Sequence, residues 1–131
     1  MTKAVSIEKS LAGRPVLEGR TPHTPGEEMA PVFATLADTG RTGIFAGSFV
    51  GESAWERHRN GDELVQILAG EAMVSVLTED GRVDLEMSAG MVTIVPQGCW
   101  HKFQAPKGVT VMTMTPQPTD HSTSDMPQQD E

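Results

Sequence analysis

The segment Gly90-Met91-Val92-Thr93-Ile94-Val95-Pro96-Gln97-Gly98-Cys99-Trp100-His101 decides the fold of this chain. It places a short apolar run, residues 91–95, between a glycine and a Pro-Gln-Gly turn. A short apolar run that is bounded by turn residues predicts a β-strand. A second run follows, in which His101 shares the inward face with Cys99 and Phe103, because alternate residues of a strand point the same way.

The same kind of run recurs along the middle of the chain. The predicted strands cover residues 32–37, 44–50, 54–58, 64–68, 72–77, 83–87, 91–95, 99–104 and 109–115. Turn residues separate them, and the pairs Asn60-Gly61 and Asp80-Gly81 predict tight turns. No stretch of ten residues shows a capped helical pattern. Eight or nine short strands at regular spacing predict an all-β fold, an antiparallel sandwich or barrel.

The two ends of the chain differ from this middle part. Residues 1–30 mix glycine, proline, threonine and charged residues without periodicity, and they predict an irregular N-terminal arm with one short strand around residues 15–17. Residues 116–131 contain almost nothing apolar and predict a flexible polar tail. The predicted organisation is therefore an arm over residues 1–30, a β-barrel over residues 31–115 and a tail over residues 116–131.

Composition and charge limit the partners of the chain. Its 131 residues carry a formal net charge of −8, so it lacks the cationic face that binds nucleic-acid phosphates. No apolar run is long enough to cross a bilayer, and the N-terminus has no apolar core of a secretion signal. Cys99 is the only cysteine and forms no internal disulfide. A cytoplasmic protein without nucleic-acid or membrane partners is expected.

Some of the predicted strands are apolar on both faces. Residues 64–68 and 91–95 are examples. An apolar outer face has to be covered, here by the arm or by a second subunit. Trp55 and Trp100 point away from Glu56 and His101, and a subunit contact is expected there. The sequence therefore predicts a homodimer.

A second informative stretch runs Glu56-Arg57-His58-Arg59-Asn60-Gly61-Asp62-Glu63 and continues to Gly70. Glu56 and His58 share one face of a strand, and Glu63 lies on the inward face of the next run. Burying these groups and His101 without partners costs several kcal/mol, whereas a divalent cation satisfies all of them. Two imidazoles with one or two carboxylates suit Fe(II), Mn(II), Zn(II) or Ni(II). The set of two histidines and one carboxylate is typical of non-haem iron oxygenases.

The spacing of these residues resembles the two motifs of the cupin superfamily. The second cupin motif reads Gly, five residues, Pro, one, Gly, two, His, and the chain fits it at Gly90, Pro96, Gly98 and His101. Ala105 replaces the asparagine that closes the motif. The resemblance covers about residues 44–115. It implies an all-β double-stranded β-helix, also called a jelly-roll barrel.

The first cupin motif is matched less completely. It reads Gly, five residues, His, one, His, three or four, Glu, six, Gly. Glu63 and Gly70 have the spacing of this pattern, and His58 takes the place of the second histidine. Glu56 stands where the family has its first histidine. In a rival register His58 is the first histidine and Asn60 the second, but too few residues then remain before Glu63.

By this resemblance, the metal ligands are His58, Glu63 and His101, with Glu56 as the fourth candidate. Glu56 either ligates through oxygen, or turns away and leaves a three-ligand site, or acts as an acid/base beside the metal. The implied cofactor is a divalent metal ion: Fe, Mn, Zn or Ni.

The resemblance implies a metal-dependent enzyme that acts on a small organic molecule by dioxygenase-type or isomerase-type chemistry. The alternatives are a non-catalytic cupin that binds or senses a metal or metabolite, and a barrel whose site has decayed. The sequence does not decide between an enzyme and a binding protein, because fold does not fix function. No arginine or lysine is clearly placed on an inward face to bind an acidic substrate, although Lys102 and Arg41 could reach from the rim or loops.

Overall fold

The chain folds into a curled β-sheet. The computed structural model describes residues 2–129. Within them lie the helices α1 (Ile7–Leu11) and α2 (Gly26–Met29) and the strands β1 (Leu17–Arg20), β2 (Ala34–Asp38), β3 (Thr42–Glu52), β4 (Trp55–His58), β5 (Glu63–Thr78), β6 (Gly81–Ser88), β7 (Val92–Val95), β8 (His101–Pro116) and β9 (Thr119–Ser122). The all-β prediction is confirmed. Both helices belong to the arm, and neither is long and apolar enough to cross a membrane in the part of the chain described.

Strand β8 occupies the centre of the sheet. It pairs antiparallel with β3, β4 and β5. Strands β6 and β7 pair with β5, strands β1 and β2 pair with β3, and strand β9 pairs with β4. The sheet closes into the predicted jelly-roll barrel. Its inward side chains form one buried apolar cluster, which includes Phe49, Val65, Ile67, Val74, Val95, Phe103 and Val111.

Two pairs of predicted strands are continuous in the structure. Strand β5 includes the runs predicted at residues 64–68 and 72–77, and β8 includes most of those at 99–104 and 109–115. Gly70 allows β5 to bend over β8. It has a φ of 76°, and a Cβ atom there would collide with the carbonyl oxygen of Gly108. Glycine adopts such a conformation without steric cost, so the strand bends instead of ending.

The N-terminal arm is joined to the barrel by strand β1. This strand pairs in parallel with β3, with Leu17 opposite Phe49 and Arg20 opposite Gly51. Gly51 has a φ of 126°, and a Cβ atom there would lie less than 3.0 Å from backbone atoms of Arg20. Glycine is therefore required for β1 to approach so closely. The approach carries the side chain of Arg20 to a position where the residue is only 8% exposed.

The segment after residue 115 contains a strand that the sequence does not predict. In place of a flexible tail, β9 pairs with β4. The carbonyl oxygens of Asp125 and Gln128 then accept hydrogen bonds from the indoles of Trp55 and Trp100 at 3.2 and 3.0 Å. The predicted subunit contact at these tryptophans is wrong, because the same chain covers them and satisfies their N–H groups. The boundaries between arm, barrel and tail stay a prediction.

Candidate metal centre

Three of the four candidate ligands come from the ends of three strands. His58 ends β4, Glu63 begins β5 and His101 begins β8. The backbone N–H of Gly98 donates to the carbonyl oxygen of His58 at 3.0 Å, which ties the end of β4 to the loop that precedes His101. Glu63 is paired with Val95 at the start of the same loop. The Pro-Gln-Gly turn thus connects the two informative stretches of the sequence.

The side chains of His58, Glu63 and His101 meet inside the barrel. Nε2 of His58 lies 3.1 Å from Oε2 of Glu63, and Nε2 of His101 lies 2.9 Å from Oε1 of Glu63. The three side chains are between 1% and 5% exposed. One ligand atom from each residue lies within 4.8 Å of the other two. The structure therefore brings together a group of two histidines and one glutamate that could hold a metal ion.

The atoms at this meeting point fit a divalent ion. Among the described residues, His58 Nε2, Glu63 Oε1 and His101 Nε2 are buried and have no hydrogen-bond partner outside this group. Leaving a buried polar atom without a partner costs about 1–3 kcal/mol, so three such atoms that face only one another need a physical reason. Ligand atoms at about 2.1 Å from one ion and at right angles to each other lie about 3 Å apart. The separation of His101 Nε2 from Glu63 Oε1 and that of His58 Nε2 from Glu63 Oε2 both agree with that spacing. One ion bound between the carboxylate and the two imidazoles would satisfy the group.

Two threonines fix the orientation of the ligands. Thr115 Oγ1 donates to Oε2 of Glu63 at 2.7 Å. Thr119 Oγ1 lies 3.1 Å from Nδ1 of His58, within hydrogen-bonding distance. Thr115 lies near the end of β8, and Thr119 begins β9. Contacts of this kind set the tautomer and direction of metal-binding side chains and tune their affinity.

His101 is oriented by the backbone. Its Nδ1 lies 3.3 Å from the carbonyl oxygen of Cys99. A carbonyl only accepts, so Nδ1 carries a proton in this contact, and Nε2 is the ring atom that faces Glu63. Burial favours the neutral ring, but Glu63 outweighs it and raises the pKa of His101. Burial likewise opposes ionisation of Glu63, yet both imidazoles together lower the pKa of Glu63 to about 2. The carboxylate is therefore held in the ionised form that a metal ligand needs.

Glu56 lies outside this group. Its Cα atom is paired with that of His101 across β4 and β8, but its Oε2 lies 3.4 Å from Nε2 of His121 in β9. Burial opposes ionisation of Glu56, but the contact with His121 and the charges of His101 and Arg20 together lower the pKa of Glu56. Its charge also contributes to the raised pKa of His101. Glu56 is thus near enough to influence the centre electrostatically, and its role as a fourth ligand stays a prediction.

Two cavities have Arg20 in their walls. The smaller one, about 400 Å³, is lined by residues of the arm together with Glu56 and His121. The larger one, about 900 Å³, lies between Arg20 and parts of β3, β5, β6 and β8, and its wall includes Met73 and Met87. Cavities of this size accommodate small organic molecules.

Four residues of this neighbourhood were not candidates from the sequence: Arg20, Thr115, Thr119 and His121. Thr115 shares its face with Val109 and Val111, which are buried, so strand parity could have placed it inside. The other three come from the arm and the tail. The sequence predicts no strand over residues 119–122, so its pattern does not indicate whether Thr119 and His121 point into the barrel or outward.

The barrel and its buried group define a class of protein: a small jelly-roll barrel with two histidines and a glutamate that could hold a divalent metal ion. Residues 49–115, just over half of the chain, match the family model described as "Cupin domain". The chain therefore belongs to the cupin family, and the predicted superfamily is confirmed. A search of curated proteins found no match.

Solved structures of similar fold agree with this assignment. A conserved protein of unknown function from Streptococcus pyogenes is 24% identical, with a TM-score of 0.55 over 66% of this chain and 74% of that one. A cupin-2 domain protein from Shewanella frigidimarina is 22% identical, with a TM-score of 0.51 over 65% and 79%. Hydroquinone 1,2-dioxygenase from Sphingomonas sp. TTNP3, solved with 4-hydroxybenzoate bound, is 17% identical, with a TM-score of 0.55 over 63% and 64%. This chain spans less than two thirds of that dioxygenase, and all three likenesses show the fold alone.

Proposed function

We propose that this cupin is a metal-dependent enzyme that acts on a small organic molecule by dioxygenase-type chemistry. In this proposal His58, Glu63 and His101 hold the metal. The observation that supports it is the convergence of three buried atoms that could bind a metal and that have no hydrogen-bond partner outside their own group in the described part of the chain. Two imidazoles and one carboxylate leave coordination positions open, and this donor set is typical of non-haem Fe(II) oxygenases. Fe(II) is therefore proposed ahead of Mn, Zn and Ni.

A divalent metal in this position supplies a Lewis acid with open positions for the substrate. The residues of the chain provide the surroundings. Thr115 and Thr119 hold Glu63 and His58 in place. The ring of Phe103 packs edge-on against His101, with ring centroids 6.3 Å apart, and keeps water from that side. Glu56, with His121 beside it, is proposed as the acid/base that accepts or returns a proton at its carboxylate.

The proposal is tested by metal analysis followed by oxygen uptake. Protein purified without added metal is expected to contain stoichiometric iron, and a His58→Ala, His101→Ala double variant is expected to contain none. The wild-type protein should then consume O2 with at least one member of a panel of small phenols and carboxylic acids. Hydroquinone is the first compound of the panel, because one protein of similar fold is named for its oxidation.

Each alternative gives a different result. Absence of bound metal, together with an unchanged melting temperature on addition of Fe, Mn, Ni or Zn, would exclude the metal centre. Bound metal with substrate conversion but without O2 uptake would indicate an isomerase. Bound metal without conversion of any compound would indicate the non-catalytic binding protein.

We further propose that the protein is a homodimer, through an apolar row on the outside of the sheet. Ile94 and Met114 lie on either side of Leu64 in paired strands. Ile94 and its strand neighbour Val92 are 51% and 56% exposed, and Met114 is 40% exposed. A contiguous exposed apolar surface of this kind is typical of a protein interface.

Sedimentation velocity tests the dimer with the variant Ile94→Asp. The wild-type chain is expected to sediment as a dimer, and Ile94→Asp as a monomer, because a buried unpaired carboxylate destabilises an apolar interface. Val83→Asp is the matched control, since Val83 is 42% exposed but lies on β6. It should leave the dimer intact. A monomeric wild-type protein, or a dimer that Ile94→Asp does not disrupt, would contradict the proposal.

A further inference from the structure

We propose that Arg20 binds the carboxylate of a small, singly charged organic ligand. This inference names the substrate class for the metal-dependent function proposed above and rests on that function only for calling the ligand a substrate. Arg20 would then be a binding residue of the N-terminal arm, where the sequence pattern predicts none.

Arg20 is buried without a countercharge in contact. The residue is 8% exposed, and its Nε atom is buried without a hydrogen bond to any part of residues 2–129. Within the same residues, Nη2 donates only to the sulfur of Met29, at 3.1 Å, and a thioether is a weak acceptor. Among the residues that the structure describes, no carboxylate lies within 4.0 Å of this guanidinium. A buried cation normally has such a partner, because desolvation costs several kcal/mol.

Aromatic packing positions Arg20 but compensates the burial only in part. Its Cζ lies 4.5 Å from the ring centroid of Phe49 and 5.9 Å from that of Phe33. Such cation–π contacts contribute about 2 kcal/mol when desolvated. Burial lowers the pKa of Arg20, and the charge of Glu56 acts against this lowering. The fork of N–H donors thus remains charged and available to a planar acceptor, which a carboxylate provides.

The surroundings favour a singly charged ligand with an apolar body. Arg20 borders both cavities. The larger one has Ala72, Met73, Met87 and Pro106 in its wall, and also Glu52, Glu71 and Glu86. The glutamates repel a doubly charged anion such as phosphate, whereas one guanidinium matches one carboxylate. The apolar side chains suit an aliphatic or aromatic body.

Packed aromatic rings connect Arg20 with the candidate metal centre. Phe49, on which the guanidinium stacks, packs edge-on against Phe103, and Phe103 packs edge-on against His101. Glu56 interacts electrostatically with both Arg20 and His101. A carboxylate at Arg20 and an ion at the centre would therefore be linked through packed side chains, and the walls of the two cavities do not include His58, Glu63 or His101.

Calorimetric titration with benzoate and its uncharged analogue benzamide tests the proposal. The full-length protein is expected to bind benzoate at least about 10-fold more tightly than benzamide, since one charged hydrogen-bonded pair contributes about 1.5–3 kcal/mol. Arg20→Met should weaken benzoate binding by about 10-fold or more and leave benzamide unaffected. Arg20→Lys should be intermediate, because it keeps the charge and loses the fork. Lys9→Met is the control: Lys9 is exposed on α1 and lies outside both cavity walls, so benzoate binding should not change.

Three results would overturn the proposal. They are equal affinity of Arg20→Met and the wild-type protein for benzoate, no preference of the wild type for benzoate over benzamide, and tighter binding of inorganic phosphate than of benzoate. Removal of a buried charge should not unfold the barrel, and circular dichroism checks this. The titrations are done before and after metal is removed with a chelator. The loss caused by Arg20→Met is expected in both states, so failure of the metal proposal and failure of the Arg20 proposal give different results.

Discussion

Glu63→Gln is expected to weaken metal binding by more than about 100-fold. Losing a residue that only supports a ligand costs about 10–100-fold in metal affinity, and Glu63 is itself a proposed ligand. Its carboxylate lies between His58 and His101 and contributes the negative charge of the group. A carboxamide keeps the shape but removes this charge. The measurement is a competition titration of Fe(II) or Mn(II) against a chromophoric chelator.

Glu56→Gln is the matched control for Glu63→Gln. The same chemical change is made in the same part of the barrel, but at a carboxylate that contacts His121. Metal affinity should change only a few-fold, whereas turnover should fall if Glu56 is the acid/base. Thr115→Val, which removes the hydrogen bond to Glu63, should give an intermediate loss of about 10-fold. A 100-fold loss of affinity in Glu56→Gln would identify Glu56 as a fourth ligand, and unchanged affinity in Glu63→Gln would refute the proposed centre.

Trp100→Ala is expected to lower the free energy of unfolding by about 3–5 kcal/mol, which is the range for large aromatic side chains in cores. Trp100 is 2% exposed, its indole N–H donates to Gln128, and the guanidinium of Arg57 lies 4.2 Å from its ring centroid. Removing the ring leaves a cavity and releases the C-terminal segment. Urea unfolding followed by circular dichroism measures the change.

Trp100→Phe separates packing from hydrogen bonding, because it keeps an aromatic ring and removes the N–H donor. It should cost less than Trp100→Ala. Val83→Ala, at a residue that is 42% exposed and lies outside the proposed interface, should change stability by no more than about 0.5 kcal/mol. If Trp100→Ala were as stable as Val83→Ala, the C-terminal segment would not be packed on the barrel as described.

The barrel can be predicted from the sequence because each of the two motifs is a short segment whose turn residues and alternation define its own strands. Gly90 and Gly98 mark the turns on either side of β7, and both have positive φ in the structure. Alternation around His101 predicts that this histidine points inward, and it is buried. The same alternation places His58 and Glu63 inside. It misplaces Trp55, which alternation alone puts on an outer face. That face is covered by a segment whose composition gives no strand pattern.

Contacts between the arm and the barrel could not be predicted in this way. Arg20 lies in a polar stretch, and nothing in its neighbours says that it would be buried. Its position depends on the absence of a side chain at Gly51, thirty-one positions later in the chain. His121 is similar, because its contact with Glu56 follows from the pairing of β9 with β4. Long-range pairings of this kind leave no periodic trace in the sequence.

The parallel pairing of β1 with β3 has an evolutionary consequence. The three candidate ligands belong to the barrel, but Arg20 enters on a short edge strand that is held by backbone contacts and by one glycine. Substitutions in that strand can change which molecules are accepted while the residues that hold the ion stay the same. Selection could therefore redirect such a scaffold to new compounds by altering about twenty N-terminal residues. If Arg20 binds carboxylates as proposed, grafting this arm onto a related barrel that keeps a glycine opposite β1 would transfer that preference without rebuilding the interior.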